Sequence, residues 1–189
     1  MLTRRGFLTT GGLAIAGLVL PALARPRLVG AGGAGTVVEI RMRSDDRGAE
    51  VWFDPIGLRI DPGQTVRWTM ASPGNPHTTT AYHPRNASHS LRIPETAEPW
   101  DSGFLINPGD QFEVTLTVEG VYDYFCLPHE AAGMVGRIVV GRPDGPGAQP
   151  FDYFVGRPGT GNWGRVPAAA QAAFPNVESI VARGVVSRR

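Results

Sequence analysis

An antiparallel all-β sandwich or barrel from about residue 35 to 141, followed by a short, partly helical extension over 142–189, is what the sequence predicts. Three observations carry it. Apolar residues alternate with polar ones at period two in several segments, strong turn signals separate those segments, and helical periodicity is almost absent before residue 142. The 25 glycines and 17 prolines among 189 residues suit many short strands joined by turns. A chain of this length with 42% apolar residues can bury one good core but not two large ones.

The elements follow in order. TVVEIRM places Val38, Ile40 and Met42 on one face, TVRWTM does the same with Val66, Trp68 and Met70, and FEVTLTVE sets Phe112, Val114, Leu116 and Val118 opposite Glu113, Thr115, Thr117 and Glu119. Between them lie DPGQ at Asp61–Gln64, SPGNP at Ser72–Pro76 and NPGD at Asn107–Asp110, each a turn by composition. VYDYFC aims Tyr122, Tyr124 and Cys126 to one side, and MVGRIVV aims Met134, Gly136, Ile138 and Val140 to one side. The segment from about His83 to Ser102 is too long for a hairpin turn and reads either as a structured loop or as a short capped helix. Beyond the linker GRPDGPGAQP, NVESIVARG has Asn176 as a cap, Val177, Ile180 and Val181 as an apolar stripe and Gly184 as a stop. A short helix with one greasy face results, which docks on its own barrel or binds a partner.

Residues 1–24 read as an export leader. TRRGFL pairs Arg4 and Arg5 ahead of the apolar run Gly11–Leu20, and Ala22–Ala24 supplies small residues for a signal peptidase. This is a twin-arginine pattern, which implies a periplasmic or otherwise exported protein with a mature N-terminus at Arg25. An uncleaved anchor is the alternative, although the run is short for a span of about 20 apolar residues. No integral span is expected in the mature chain. All 18 basic residues are arginines against 17 acids; without the leader the net charge is about −1, which implies no nucleic-acid partner. The single cysteine, Cys126, cannot form an internal disulfide. In an oxidising compartment it must be buried, paired between chains, or bound to something.

The stretch YFCLPHEAAGM indicates which. A thiolate is a soft ligand, imidazole intermediate and thioether soft and weak, so Cys126, His129 and Met134 together select a redox copper over magnesium, calcium or manganese. In this spacing the cysteine ends one strand, the histidine sits in the connecting loop and the methionine opens the next strand, so the three can meet at one pole of a barrel. A trigonal site of two imidazoles and one thiolate needs another histidine, from among His77, His83 and His89. His77, just after the SPGNP turn, is the natural donor. His83 shares its strand parity, and either His83 or His89 could serve a second metal or lie solvated in the loop.

On these residues, with FDPIGLRIDPGQTVRW (Phe53–Trp68), NPHT (Asn75–Thr78) and GVYDYFCLPHEAAGMVGRIVV (Gly120–Val140), the region from about 50 to 141 resembles a cupredoxin of the plastocyanin and pseudoazurin type. The resemblance implies an eight-stranded Greek-key barrel, one type 1 copper ion and one-electron transfer. It implies His77, Cys126 and His129 as equatorial ligands and Met134 as the axial one. It also implies a backbone N–H from Thr78 to the cysteine sulfur. Pro128 has no N–H to add a second.

Four protein ligands leave no open metal position, so an enzyme is not expected. The reading is a soluble, monomeric one-electron carrier that docks redox proteins briefly at the rim around His129, formed by Leu127, Pro128, Ala131, Ala132, Gly133 and Pro76. The alternative is a protein that buffers or delivers copper without redox turnover.

Overall fold

The computed structural model describes residues 35–188. The leader expected over residues 1–24 lies outside the described residues. Among those described, no helix is long and apolar enough to cross a membrane.

Among the described residues, nine strands form two sheets. They are β1 (Val37–Ser44), β2 (Val51–Asp54), β3 (Gly57–Ile60), β4 (Gln64–Met70), β5 (Thr80–Ala81), β6 (Gln111–Leu116), β7 (Gly120–Phe125), β8 (Val135–Val140) and β9 (Val185–Val186). One sheet has the order β2-β1-β4-β6 and the other β5-β7-β8-β3-β9. The expected antiparallel pattern holds for most pairs, but β1 runs parallel to β4 and β3 parallel to β8. Both parallel pairs join strands whose connection crosses between the sheets, which a local turn signal cannot reveal.

The inward residues of the first sheet are those that alternation selects. Ile40, Met42, Val66, Trp68 and Met70 are buried, and Phe112 and Val114 pack partly buried against them. Trp68, Trp100, Tyr124 and Phe53 fill the space between the sheets with ring centroids 4.7–6.2 Å apart, spacings that favour edge and tilted contacts. Gly136 is part of this packing, because a Cβ there would overlap the Tyr124 ring on the paired strand.

Strands β7 and β8 depart from simple alternation: every residue in both is buried. The reason lies in the C-terminal part of the chain. Helix α2 (Val177–Arg183) inserts Ile180 against Val121 and Val139, while helix α1 (Ala168–Ala173) brings Ala170 to Phe125 and Val135. Asn176 caps α2 by accepting from the Ser179 N–H at 3.0 Å, and Gly184 ends it with φ of 77°. Strand β9 then pairs with β3, extending the second sheet. The stripe on NVESIVARG therefore docks on its own barrel. Helix α1, an alanine-rich segment without an amphipathic signature, was not expected.

Between the extension and the barrel, Asp123 on β7 accepts from two arginines. Arg92 Nε lies 2.7 Å from its Oδ2, and Arg137 Nε and Nη2 lie 2.6 and 2.9 Å from its two oxygens. The other guanidinium hydrogens reach the carbonyls of Gly147 and Gln149 from Arg92 and of Pro175 from Arg137. Phe151 lies under one guanidinium and Phe174 under the other. The segment His83–Ser102 is a structured loop without helix or strand, pinned by Asn86, whose side-chain amide donates to the carbonyls of Ala81 and Trp100.

Candidate metal centre

The end of β7 and the start of β8 are joined by a 3-10 turn, Leu127–Ala132. Pro128 suits its first positions, where an N–H has no internal partner. Gly133 closes it in the left-handed region at φ of 81°. The β7–β8 ladder extends beyond the strands, since the Cys126 N–H donates to the Met134 carbonyl at 3.0 Å. Cys126 and Met134 are thus fixed side by side at one pole, and both are fully buried.

His77 reaches the same pole from the other side. It pairs with Leu105 through two backbone hydrogen bonds of 3.0 and 2.8 Å. Its Nδ1 lies 3.2 Å from His129 Nδ1 and 3.6 Å from Cys126 Sγ, and His129 Nδ1 lies 3.4 Å from the same sulfur. A point at the centre of this triangle is about 2.0 Å from each corner, the length of a metal–imidazole bond. One thiol and two imidazoles converging on such a point, two of the three residues buried, fit a soft transition-metal ion. Among the described residues this is the one such cluster of three or more histidine, cysteine or acidic groups.

The electrostatics follow from burial. His77 is held down to about 4 by desolvation and by His129, and burial also lowers His129. Burial pushes the Cys126 thiol up to about 12, opposed by the N–H groups of Thr78 and His129. Without metal the site holds a neutral thiol and neutral rings at neutral pH, so metal uptake must release the thiol proton.

Surrounding groups fix the donors. The Thr78 N–H donates to Cys126 Sγ at 3.3 Å, as the resemblance implied, while the Thr78 hydroxyl accepts from the Leu127 N–H at 2.8 Å. The His129 N–H donates to the Cys126 carbonyl at 3.0 Å. His77 Nε2 faces the buried Ser44 hydroxyl at 3.1 Å, and Asn75 Nδ2 donates to that same oxygen at 3.3 Å. Ser44 can accept from a protonated His77 Nε2, the tautomer that leaves His77 Nδ1 free for a metal. Sequence reasoning missed Ser44, although it continues the inward stripe Ile40, Met42 as a polar residue.

His83 and His89 do not join the cluster. His83 Nδ1 accepts from the Arg85 N–H, and His89 Nε2 faces Glu130. At the rim, Leu127, Pro128, Ala131 and Ala132 are exposed, whereas Gly133 lies under Ala169 and Ala173 of α1. Phe104 and Ile106, 56% and 60% exposed, flank the residue that pairs with His77 and were not anticipated as part of that surface.

A family model of copper binding proteins, the plastocyanin/azurin family, matches residues 38–141, more than half of the chain. The chain belongs to that family. The family binds one copper, and blue copper electron carriers make up its ranks. The chain is 34% identical to halocyanin of Natronomonas pharaonis over 88 residues, 47% of either chain, so the match spans about half of that relative's length. It is 31% identical to a plastocyanin of Synechococcus sp. (strain JA-2-3B'a(2-13)) over 141 residues, 70% of this chain and 86% of that one. A pseudoazurin from Sinorhizobium superposes with a TM-score of 0.50 at 27% identity, covering 77% of this chain and 94% of the pseudoazurin. The cupredoxin fold expected from the sequence is therefore the fold observed, with β9 as an addition from the extension.

Proposed function

We propose that the protein is a one-electron carrier working outside the cytoplasm, with His77, Cys126 and His129 as equatorial ligands of one type 1 copper and Met134 as the weak axial ligand. The observation that carries this is the triangle of two Nδ1 atoms and one Sγ at metal-bonding spacing. Copper bound there would supply a Cu(I)/Cu(II) couple.

The chain's own residues do the rest. Ser44 and the β-bridge to Leu105 hold His77, Thr78 holds the sulfur and the start of the ligand turn, and backbone pairing joins Met134 to Cys126, which supports Met134 as the axial ligand. Donors fixed this firmly move little between oxidation states, which favours fast transfer. His129 is half-buried, with its ring between the sulfur and the surface, and serves as the electron port. Leu127, Pro128, Ala131, Ala132, Phe104 and Ile106 offer a neutral apolar rim for brief docking by a redox partner. The protein acts as a monomer. Export rests on the twin-arginine pattern of residues 3–24. Residues 142–188 act as part of the same cooperative unit as the barrel, held by Ile180, Ala170 and the Asp123 arginines.

Burial of Cys126 and His77 favours retention of the ion over its delivery. Titration of purified protein with Cu(II), followed by visible absorption and electron paramagnetic resonance, tests the proposal. One equivalent with an intense blue thiolate band, retained through repeated reduction and reoxidation and lost in Cys126→Ser, is expected. Weak colourless copper, or Cu(I) passing readily to a chelating acceptor, would overturn it in favour of buffering or delivery.

A further inference from the structure

Three side chains that the proposed function does not use close on one another beside the metal centre. Glu130 follows His129 in the ligand turn. Tyr82 Oη donates to its Oε1 at 2.6 Å, and His89 Nε2 lies 3.0 Å from its Oε2. The other His89 nitrogen, Nδ1, is 3.2 Å from the Asn86 carbonyl oxygen. Both ring nitrogens therefore face acceptors, an arrangement that the doubly protonated ring satisfies. Burial opposes that charge, but the Glu130 carboxylate and the carbonyls of Asn86 and Ala87 outweigh it, so the His89 pKa is raised. His89 stacks on Phe125 with centroids 4.4 Å apart, Tyr82 packs on the same ring, and Phe125 is bonded to Cys126. The side chains of Glu130 and His89 are each only 14% exposed, unlike those of a solvated surface ion pair.

The two imidazoles of the centre differ in how they are held. His77 has Ser44 on its far nitrogen. Among the described residues the His129 ring has hydrogen-bond and ring partners only in His77 and Cys126, both of the centre itself, which leaves the turn beneath it to set its direction. That turn buries none of its own six residues. Its side-chain anchor on the barrel wall is Glu130, through Tyr82 just after β5 and His89 in the long loop.

We propose that Glu130, gripped by Tyr82 and His89, is a positioning residue that keeps His129 Nδ1 aimed at Cys126 Sγ and His77 Nδ1, whether or not metal is bound. The proposal deepens the copper reading and rests on it for its metal-binding consequences. Loss of such an outer partner typically weakens metal binding about 10–100-fold.

Wild type, Glu130→Ala, Glu130→Gln and Tyr82→Phe are compared in the apo form by NMR relaxation of the His129 and His77 rings. The Cu(II) forms are compared by affinity and by the copper hyperfine coupling. Glu130→Ala should free the His129 ring but not the His77 ring, change the hyperfine coupling and weaken Cu(II) at least about tenfold. Tyr82→Phe should move each readout the same way by less. Glu130→Gln, which still accepts from Tyr82, should fall between wild type and Glu130→Ala. A folded Glu130→Ala protein with wild-type ring motion, wild-type hyperfine coupling and affinity within about twofold overturns the proposal. If that variant does not fold, Tyr82→Phe and His89→Gln decide by the same readouts. A wild-type chain that takes up no Cu(II) would sink the copper reading, and the apo ring comparison would still judge the positioning role.

Discussion

Replacing Asp123 by alanine would leave the guanidiniums of Arg92 and Arg137 facing each other without their shared carboxylate. The Asp123 side chain is fully buried and those of Arg92 and Arg137 are 3% and 8% exposed, so water cannot easily take its place. Three charge-assisted hydrogen bonds of 2.6, 2.7 and 2.9 Å are lost together. Removing one partner from a buried ionic group typically costs about 3–5 kcal/mol, a large part of the roughly 5–15 kcal/mol that holds a domain. For a chain of this size that corresponds to a fall in Tm of roughly 6–20 °C. The arginines also hold the carbonyls of Gly147, Gln149 and Pro175, so the damage should appear first where the extension meets the barrel. Urea unfolding of the apo-protein measures the loss, and limited proteolysis locates it, with new cleavage expected between residues 142 and 176. Asp123→Asn, which keeps an acceptor but not the charge, should lie between. A loss below about 1 kcal/mol, with no new cleavage, would refute the argument that a buried carboxylate clasps the extension in place.

The remaining predictions concern the metal centre. Ser44→Ala removes the partner of His77 Nε2 and should weaken Cu(II) about 10–100-fold, whereas Ser44→Thr should restore most of it; calorimetric titration compares the two. His77, at about 4 in the fold and near 6.5 unfolded, favours the neutral ring in the native state. Its contribution to apo stability is therefore present above pH 6.5 and lost as the pH falls from there through about 4. His89 has the opposite sign: its contribution is full below pH 6.5 and is lost as the pH rises through its raised value. Denaturation midpoints across pH 4–8 should show the acid-side loss in wild type and a smaller one in His77→Asn. Pro128→Ala creates an N–H in the turn beside the sulfur and should raise the reduction potential; an unchanged potential in voltammetry of the folded variant would refute this.

Period-two alternation was enough to set the inward faces of β1, β4 and β6, because a strand with one wet face must sort its residues by side. The meeting of Cys126 and His129 was legible for a related reason: a strand end and a tight turn leave a short segment little freedom, so the spacing brings the two side chains together. Asn176 and Gly184 marked the ends of α2 through the backbone conformations that caps require.

Tertiary structure decided the rest. Asp123, Arg137 and Phe125 lie on the outward face of β7 and β8, and no local pattern says that a segment tens of residues later will cover them. Ser44, Glu130 and Tyr82 matter through partners 33 to 48 positions away, so their roles exist only once the two sheets have closed. Sequence fixes what each residue can donate, accept or bury along its own element; only closure of the chain decides which group it meets.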